Sequence, residues 1–551
     1  MKIYRSHILV AEDSKSLMKG AKDVEKALIN EIKNAGLENE IAVIPTGSLG
    51  FEETGVALAV YPEGIIYAPV SVNDIKEIVA EHLLKGRIVK RLAKNPQKQK
   101  VQIGITKSEE VMQSQLRAVL RNVGLINPES IEEYIASDGY TALEKALSES
   151  RENVLEEIKK SELRGRGGAG FPTGLKWEFA AKAKGDEKYI VCNADEGEPG
   201  TFKDREIMEG DPHSVIEGML IAGYAVGASK GYIYIRGEYA LSIKRIEKAI
   251  KDARDYGLLG ENILGTNFSF DIELKKGAGA YICGEETALL ESIEGKRGEP
   301  RKKPPYPPTA GLFGKPTVIN NVETLANVPL ILEKGADWFK SIGVKGSYGT
   351  KLFSLMGDIN WKGVIEVPFG IPLSKIVFDI GGGVKNGRKL KAVILGGVSG
   401  SLITEKELDT PVDFNSLAKI EAGPGSGSIV VLDETRCIVD IAKNIAYFFR
   451  HESCGKCTPC RVGTDEMYKI IDRISRGGGK EKDLDTIMEL GKDMKLTSFC
   501  GLGQAAPNIV MQSVDKFKDE WLFHIKEKKC PVNVCKTDWE EERHGEEIGE
   551  H

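Results

Sequence analysis

The 551-residue chain has no cysteine before Cys192, and this uneven distribution limits what its thiols can do. Nine cysteines are present, and seven of them lie between Cys437 and Cys535. Clustering of this kind favours metal ligation in a reducing compartment over a disulfide framework. We therefore expect metal chemistry in the C-terminal part of the chain.

Membrane and export signals are also missing. No stretch approaches 18 uninterrupted apolar residues, and the first residues contain no basic segment that leads into an apolar one. These absences predict a cytoplasmic protein without direct membrane contact. The formal net charge is only −6, with both signs mixed throughout, which argues against nucleic acid as the main partner. The length predicts several domains.

A glycine-rich stretch with interleaved arginines, RGRGGAGFPTGLKW at residues 164–177, is the first strong motif. A helical pattern precedes it, whereas a Rossmann fingerprint requires a strand there. Gly165 and Gly167 let backbone N–H groups approach an anion, while Arg166 and Lys176 supply positive charge. We therefore predict a cradle for a planar, phosphorylated cofactor.

Alternating strand and helix patterns follow this cradle and predict a sheet with flanking helices. A second glycine turn at residues 277–284 opens a helix after the last strand, where α/β sheets place ligands. Asn320 and Asn321 can bond a polar ring edge or cap the next helix. The proline-rich run 301–308 is suited to a rim loop. We expect both turns to face one pocket.

Residues 1–95 resemble a thioredoxin-like [2Fe-2S] domain. The positions that carry the ligand cysteines in that family hold Ala11, Ser16, Ser48 and Glu52 here, and none of these can supply a thiolate. This predicts a domain that keeps the fold without its cluster. It serves either as a docking surface or as a stable N-terminal cap, and the sequence leaves both open.

The remaining chain divides further into predicted units. Residues 96–345 form the cofactor-binding α/β domain, and 346–432 contain short strands separated by glycine turns that resemble a β-grasp domain of the soluble ligand-binding type. This insert carries no catalytic signature, so we interpret it as spacer and interface. Four amphipathic helices in 433–526 predict a bundle, and 527–551 form a tail. The fold class is multidomain α/β.

Four cysteines in the predicted bundle suit an iron–sulfur cluster. Cys454, Cys457 and Cys460 stand on one loop at C-x2-C-x2-C spacing, and Cys500 follows at a distance. Three thiolates on a tight loop plus a remote fourth are typical of [4Fe-4S] ligation. The alternatives are a structural zinc site, which more often shows two separated C-x2-C pairs, and a disulfide set.

Cradle and cysteines together resemble the NADH-binding, FMN- and [4Fe-4S]-containing subunit shared by respiratory complex I and NAD-linked [FeFe]-hydrogenases of the electron-bifurcating type. The motifs at 192–200, 281–289 and 318–325 extend the resemblance over nearly the whole chain. The thioredoxin-like N-terminus favours the hydrogenase beta (diaphorase) subunit. The two-cluster ferredoxin motifs of many such relatives are missing from this sequence. Whether the enzyme bifurcates electrons is therefore left open.

The resemblance implies two sets of cofactor-binding residues. Those implied to hold FMN are Gly165, Arg166, Gly167, Lys176, Asn193, Asp195, Glu196, Gly284, Glu285, Asn320, Asn321 and Thr324. Those implied to hold NAD(H) are Phe171, Phe179, Glu198, Tyr281, Glu286, Lys303 and Tyr306. Aromatic faces can stack on adenine or nicotinamide, and carboxylates can accept from ribose hydroxyls. Core packing is the alternative for Phe179. Glu196 is implied to tune the flavin charge as the catalytic residue.

The implied reaction is hydride transfer between NAD(H) and FMN, with electrons leaving singly through the [4Fe-4S] cluster. The implied partners are a [2Fe-2S] thioredoxin-like subunit and an iron–sulfur hydrogenase catalytic subunit. Two alternatives remain: a subunit of a complex I-type enzyme, and a catalytically silent scaffold that carries the cofactors.

A second metal set lies outside this resemblance. Cys437, His524, Cys530 and Cys535 together offer three thiolates and one imidazole, which suit tetrahedral structural zinc. The polar tail around Cys530 cannot fold by burial alone, so a metal clip gives it a reason to be ordered. Free thiols on a loose tail, or remnants of a ferredoxin domain, are the alternatives.

Overall fold

The computed structural model describes residues 4–51, 53–94 and 115–536. Glu52, the first part of the predicted 96–345 unit up to residue 114, and the tail from residue 537 onward lie outside the described residues. The described chain is mixed α/β, with three principal sheets followed by a helical C-terminal part.

The N-terminal unit is a five-stranded sheet with helices packed against it. Its strands are β1 Ser6–Ala11, β2 Ile41–Thr46, β3 Val56–Tyr61, β4 Ile65–Val70 and β5 Ala93–Lys94, in the order β2-β1-β3-β4-β5. The pattern predicts one helix from residue 16 to 35, and this is wrong. Gly20 has φ +91° and separates α1 (Ser14–Met18) from α2 (Ala21–Asn34). A short helix α3, Ile75–Glu77, continues as a π-helical turn, Ile78–Leu83.

The central sheet is fully parallel, in the order β8-β7-β6-β9. Its strands are β6 Tyr189–Ala194, β7 Lys230–Arg236, β8 Asp271–Gly277 and β9 Thr317–Asn321. The register sets Asn193 beside Asn321 and Cys192 beside Asn320. Because parallel strands end at one sheet edge, this pairing brings the two motifs together at the carboxyl ends.

Helices cover both faces of this sheet, as the alternating pattern predicts. They are α4 Ile131–Ala136, α5 Thr141–Ser148, α6 Arg151–Lys160, α7 Thr173–Lys182, α8 Lys203–Gly210, α9 Pro212–Val226, α10 Ala240–Asp255, α11 Glu286–Ile293, α12 Val322–Lys334 and α13 Ala336–Lys340. The buried α9 packs against α12. Helix α6 occupies the place before the cradle where a Rossmann unit has a strand, so the predicted departure from that fingerprint is confirmed.

A third sheet follows a short hairpin of β10 (Gly343–Val344) and β11 (Ser347–Tyr348). Its strands are β12 Thr350–Gly357, β13 Gly363–Pro368, β14 Leu390–Leu395, β15 Ser401–Ile403 and β16 Ser428–Asp433. The order is β13-β12-β16-β14-β15, and β12 runs parallel to β16 whereas the other pairs are antiparallel. Two short helices, α14 (Leu373–Lys375) and α15 (Phe414–Ala418), also belong here. The hairpin, the third sheet and these helices, residues 343–433, form the third unit.

The C-terminal part is helical, with more helices than predicted. They are α16 Ile438–Glu452, α17 Thr458–Ser475, α18 Lys482–Thr497, α19 Gly501–Ala505, α20 Asn508–Lys516 and α21 Lys518–Lys526. The helical pattern over 509–526 predicts a single helix there, and this is wrong, because Phe517 has φ −129° and ends α20. Among residues 4–51, 53–94 and 115–536, every helix is too short or too polar to span a lipid bilayer.

A buried charge network joins the third sheet to the central one. Glu323 on α12 lies 2.6 Å from Lys351 Nζ on β12 and 2.8 Å from Lys203 Nζ on α8. Lys203 also pairs with Asp204 at 2.6 Å, and the backbone N–H of Leu352 donates to Glu323. All four charged side chains are buried. This network fixes α8 and α12 relative to β12.

We predict that Glu323→Gln lowers the free energy of unfolding by about 3–5 kcal/mol, because it leaves two buried lysines without the carboxylate that they share. Lys351→Met should lose less than half as much, since Glu323 keeps Lys203 as its partner. Urea unfolding monitored by circular dichroism measures both. Equal losses in the two variants would contradict the central role of Glu323.

The network also makes stability depend on pH. Burial lowers the pKa of Lys351 from 10.5 to about 7, although Glu323 opposes the shift. Between these values the unfolded chain binds more protons than the folded one, so stability rises with pH. Lys351→Met should flatten this rise between about pH 7 and pH 10, and an unchanged slope would contradict the assignment.

Candidate functional site

Two adjoining cavities open at the carboxyl end of the central sheet. The larger has a volume of about 1220 Å³ and the smaller about 570 Å³. Both are lined by Gly167, Asn193, Gly284, Glu285 and Asn321, so they share a wall. The two predicted glycine turns therefore face one site, as expected from the sequence.

The first glycine turn is packed closely at two of its glycines. A Cβ at Gly170, where φ is +64°, would lie 2.4 Å from the Phe414 ring, and a Cβ at Gly167 would lie 3.1 Å from Asn321. Thr324 Oγ accepts a hydrogen bond from the Arg166 backbone N–H at 2.8 Å. The turn is thus a rigid cradle whose backbone lines the larger cavity.

The side chain of Arg166 does not provide charge to this cradle. Its guanidinium donates to the carbonyls of Arg164 and Tyr348, lies 4.7 Å from the centre of the Phe369 ring and lines neither cavity. The expectation that this charge faces the cofactor is therefore wrong, since the side chain ties the turn to the third unit. Lys176 does line the larger cavity.

A group of charges stands on the wall of the larger cavity. Lys303 Nζ lies 2.8 Å from both Glu285 and Glu286, and Lys176 Nζ lies 3.5 Å from Glu286. Burial opposes ionisation of Glu286, yet the two lysines outweigh it and lower the pKa of this carboxyl. Glu285 also caps α11 through the backbone N–H of Thr287.

Three aromatic rings line the same cavity. Phe171, Phe179 and Tyr306 are 44%, 49% and 57% exposed. Core packing is therefore excluded for Phe179, because half of its surface is open. Exposed rings around a concave site with charged groups can stack on a flat heterocycle.

The carboxyl groups of Asp195, Glu196 and Glu198 line the smaller cavity, and those of Glu196 and Glu198 are buried. Glu196 accepts from the backbone N–H groups of Asp204 and Arg205 at the start of α8, and from the Tyr239 hydroxyl at 3.0 Å. Burial, together with the nearby Asp204 charge, raises its pKa to about 7. Burial likewise raises the pKa of Asp195 to about 7, and Asp195 Oδ2 has no hydrogen-bond partner among the residues that the structure describes.

The third carboxyl, Glu198, faces the third unit. It is 7% exposed and accepts two hydrogen bonds from Ser399. Tyr281 lines the cavity beside it. Every residue implied to hold FMN or NAD(H), except Arg166, lines one of the two cavities.

Sequence reasoning missed three groups that contribute to the smaller cavity: Lys203, Asp204 and Ser399. Asn321 donates to Asp204 at 2.7 Å, so the buried charge network reaches the cavity wall. Lys203 and Asp204 follow the 192–200 motif directly, and this proximity was an available signal. Ser399 lies about 200 positions away, and no local pattern marks it.

The four predicted cluster cysteines line one small cavity together with Ile282, Pro300 and Leu502. The Phe499 backbone N–H donates to Cys457 Sγ at 3.5 Å, and the Ser453 hydroxyl lies 3.2 Å from Cys460 Sγ. Contacts of this kind to ligand sulfurs are typical of iron–sulfur sites. The donor set and its surroundings fit a [4Fe-4S] cluster.

The second predicted metal set also comes together. The ligand atoms of Cys437, His524, Cys530 and Cys535 all lie within 4.8 Å of one another, and all four residues are buried. His524 Nδ1 lies 2.8 Å from the Glu520 carbonyl, so its N–H donates there and Nε2 is directed toward Cys437 Sγ at 3.4 Å. This arrangement fits a tetrahedral metal ion whose histidine ligand is oriented by the hydrogen bond from its other ring nitrogen.

Comparison with known proteins identifies two matching regions. Residues 158–330 match the Nuo51 FMN-binding domain, and residues 440–524 match the NADH-ubiquinone oxidoreductase-F iron–sulfur binding region. The first region contains both glycine turns, and the second contains the four cluster cysteines. The two matches thus coincide with the two sites described above.

Similar proteins extend the match to most of the chain. The NADP-reducing hydrogenase subunit HndC of Solidesulfovibrio fructosivorans is 55% identical over 421 residues, which are 76% of this chain and 86% of the relative. The second F-type subunit of the NADH-quinone oxidoreductase of Rhizobium meliloti is 51% identical over 75% of this chain and 99% of its own. A crystal structure of an H2-reduced NAD+-reducing [NiFe]-hydrogenase matches with TM-score 0.68 and 30% identity, over 100% of this chain and 89% of the other. The chain therefore belongs to the family of the F-type subunits of NADH-quinone oxidoreductase and their hydrogenase counterparts.

Proposed function

We propose that this protein is the flavin-containing diaphorase subunit of a multisubunit oxidoreductase, which takes hydride from NAD(P)H and delivers single electrons to partner subunits. When bound, FMN would accept the hydride with its two electrons, and a [4Fe-4S] cluster would carry these electrons onward one at a time. The family membership and the two matched regions support this function.

One observation carries the proposal: Ile282 and Leu502 line both the smaller cavity and the cluster cavity. Leu502 follows the cluster cysteine Cys500 by two positions, and Ile282 belongs to the second glycine turn. A flavin in the one cavity and a cluster in the other would be separated by about one layer of side chains. Such closeness suits direct electron transfer between them.

The residues fit the groups that we assign to them. The glycine turn and Lys176 would hold the FMN phosphate, and the unpartnered oxygen of Asp195 would meet a polar edge of the ring. Phe171, Phe179 and Tyr306 would stack on the dinucleotide rings, and Glu286 would accept from ribose hydroxyls. Lys303 would hold that carboxylate in place.

The partner is proposed from the relatives, whose names describe hydrogenase and quinone oxidoreductase subunits. We favour an assembly in the cytoplasm that contains a hydrogenase-type iron–sulfur subunit and a [2Fe-2S] thioredoxin-like subunit. A complex I-type assembly is the second candidate, supported by the 51% identity to the Rhizobium meliloti relative. Purification of the intact complex from the source cell distinguishes the two.

Three further assignments belong to this proposal. The N-terminal sheet is a thioredoxin-like domain that has lost its cluster ligands, the third sheet is a β-grasp domain, and the Cys3His set binds structural zinc. The four buried ligand atoms within 4.8 Å support the zinc assignment. The metal would tie the residues after α21 to the start of α16.

The first prediction from the proposed function concerns Glu196. With a pKa of about 7 this carboxyl changes charge near neutral pH. An ionised carboxylate opposes the arrival of negative charge at the flavin, so flavin reduction by NADH should accelerate as pH falls through 7. Glu196→Gln should keep FMN and lose this pH-dependent step, which stopped-flow flavin bleaching measures.

Two outcomes would contradict it. The same pH profile in wild type and Glu196→Gln would assign the step to another group. No bleaching by NADH or NADPH in wild-type protein with full FMN content would favour the silent scaffold over the diaphorase.

The second prediction concerns the cluster. Cys500→Ser should lower the iron content or alter the electron paramagnetic resonance spectrum of the reduced protein, while FMN content stays unchanged. Cys283→Ser is the control, because this thiol belongs to neither metal set. Unchanged iron content and spectrum in Cys500→Ser would place the fourth ligand elsewhere.

The third prediction concerns zinc. Elemental analysis should find about one zinc per chain, and the double variant Cys530→Ser/Cys535→Ser should lose it while it keeps its iron. Cys500→Ser should show the reverse pattern. Zinc that persists in the double variant, or is absent from wild-type protein prepared without chelator, would refute the site.

A further inference from the structure

A turn of the third unit reaches into the smaller cavity. It comprises residues 396–400, directly after β14, and Gly396, Ser399 and Gly400 line the cavity opposite Glu198. The sequence pattern predicts only a spacer and interface role for this unit. The contacts of the turn add a wall of the cavity to that role.

Ser399 contacts Glu198 twice. Its backbone N–H donates to Glu198 Oε1 at 2.8 Å, and its hydroxyl donates to the same oxygen at 2.5 Å. Burial raises the pKa of Glu198, and the hydroxyls of Ser399 and Ser426 oppose this shift. These two hydrogen bonds to one oxygen thus favour the charged form of Glu198 and fix the orientation of its carboxyl group.

The backbone of the turn lies directly against this carboxyl. Gly397 has φ +94°, and a Cβ built there would lie 2.2 Å from Glu198 Cδ and 2.4 Å from Oε1. No side chain fits at this position unless Glu198 moves. The left-handed conformation alone already favours glycine.

The turn and the strand β15 that follows it are held by helix α20. Gln512 on α20 accepts from the backbone N–H of Leu402 at 2.6 Å, and Lys516 donates to the Leu402 carbonyl at 2.7 Å. Asn508 donates to the Ser399 carbonyl at 3.4 Å. The turn is therefore fixed between Glu198 and the helix that follows the Cys500 segment.

We infer that the 396–400 turn is a third wall of the dinucleotide site and that Ser399 is a positioning residue, which presents Glu198 as a hydrogen-bond acceptor to NAD(H). A carboxylate held in this way can accept a hydrogen bond from the amide of nicotinamide or from a hydroxyl of the ribose that carries it. The inference rests on the proposed function, in which Glu198 touches the dinucleotide.

The test is NAD+ binding to the FMN-loaded protein, followed by isothermal titration calorimetry. Ser399→Ala should weaken binding about fivefold, because Glu198 loses a charge-assisted donor. FMN content and thermal unfolding should not change, and Ser399→Thr, which restores a hydroxyl, should recover most of the affinity. Ser374→Ala is the matched control, since Ser374 lies in the same unit and lines neither cavity.

A pH series separates positioning from a structural effect. Protonation of Glu198 should weaken it as an acceptor, so NAD+ affinity falls as pH falls, and removal of the Ser399 hydroxyl should move this fall to higher pH. The titratable group that faces Glu198 is the Tyr281 phenol, which in turn faces Asp195 and Glu452. Burial raises the pKa of Tyr281, so the phenol stays neutral. An unshifted pH profile in Ser399→Ala would overturn the inference.

Gly397→Ala provides an independent test, because its new Cβ must displace the Glu198 carboxyl. We expect a larger loss of NAD+ affinity than in Ser399→Ala. Gly387→Ala is the control for backbone strain, since Gly387 also has positive φ, at +65°, and has no atom within 4 Å of a built Cβ. Equal losses in the two glycine variants would count against the contact with Glu198.

Glu198→Gln distinguishes failure of this inference from failure of the proposed function. If Glu198→Gln binds NAD+ as wild type does, Glu198 is not a dinucleotide residue and the proposed assignment fails. If Glu198→Gln weakens binding but Ser399→Ala does not, the positioning role alone fails. If the assignment of Glu198 and the positioning role of Ser399 are both correct, Ser399→Ala should have no further effect in the Glu198→Gln background.

Discussion

Glu323 contacts two buried lysines that come from different units, and the arrangement of the site depends on this shared carboxylate. Lys351 comes from the third sheet and Lys203 from α8, and both are buried with Glu323. A buried charge without its partner is strongly destabilising, so the three groups hold their elements in one geometry. Asp204 carries the network to Asn321 at the wall of the cavities.

The same geometry sets the charge of the predicted flavin site. Helix α8 begins at Lys203, and the backbone N–H groups of Asp204 and Arg205 point at Glu196. A helix N-terminus stabilises a carboxylate, whereas burial and the Asp204 charge oppose it. The balance leaves the pKa of Glu196 near neutrality, where a small change of environment changes its charge.

Much of the site was predictable because its residues are local in sequence. Glycine turns, the Cys454–Cys460 loop and the motif at 192–200 each carry their chemistry within a few positions, and the strand pattern placed the turns at one sheet edge. The errors arose where tertiary packing overrides a local pattern. Arg166 has the charge expected of a phosphate ligand, yet its side chain is buried against Phe369. The segment 509–526 has continuous helical periodicity, yet the helix breaks at Phe517.

The sequence by itself determined the chemistry of this protein: which groups can ligate metals, cradle a phosphate or stack on a ring, and which family combines them. Only the tertiary structure decided which distant groups share a site. Cys437 meets Cys530 and Cys535 because the C-terminal helices fold back on one another, and Ser399 meets Glu198 because the turn after β14 reaches into the smaller cavity. Such contacts join residues about 100 to 200 positions apart, and they leave no local pattern because packing of whole elements, rather than propensity along the chain, brings them together.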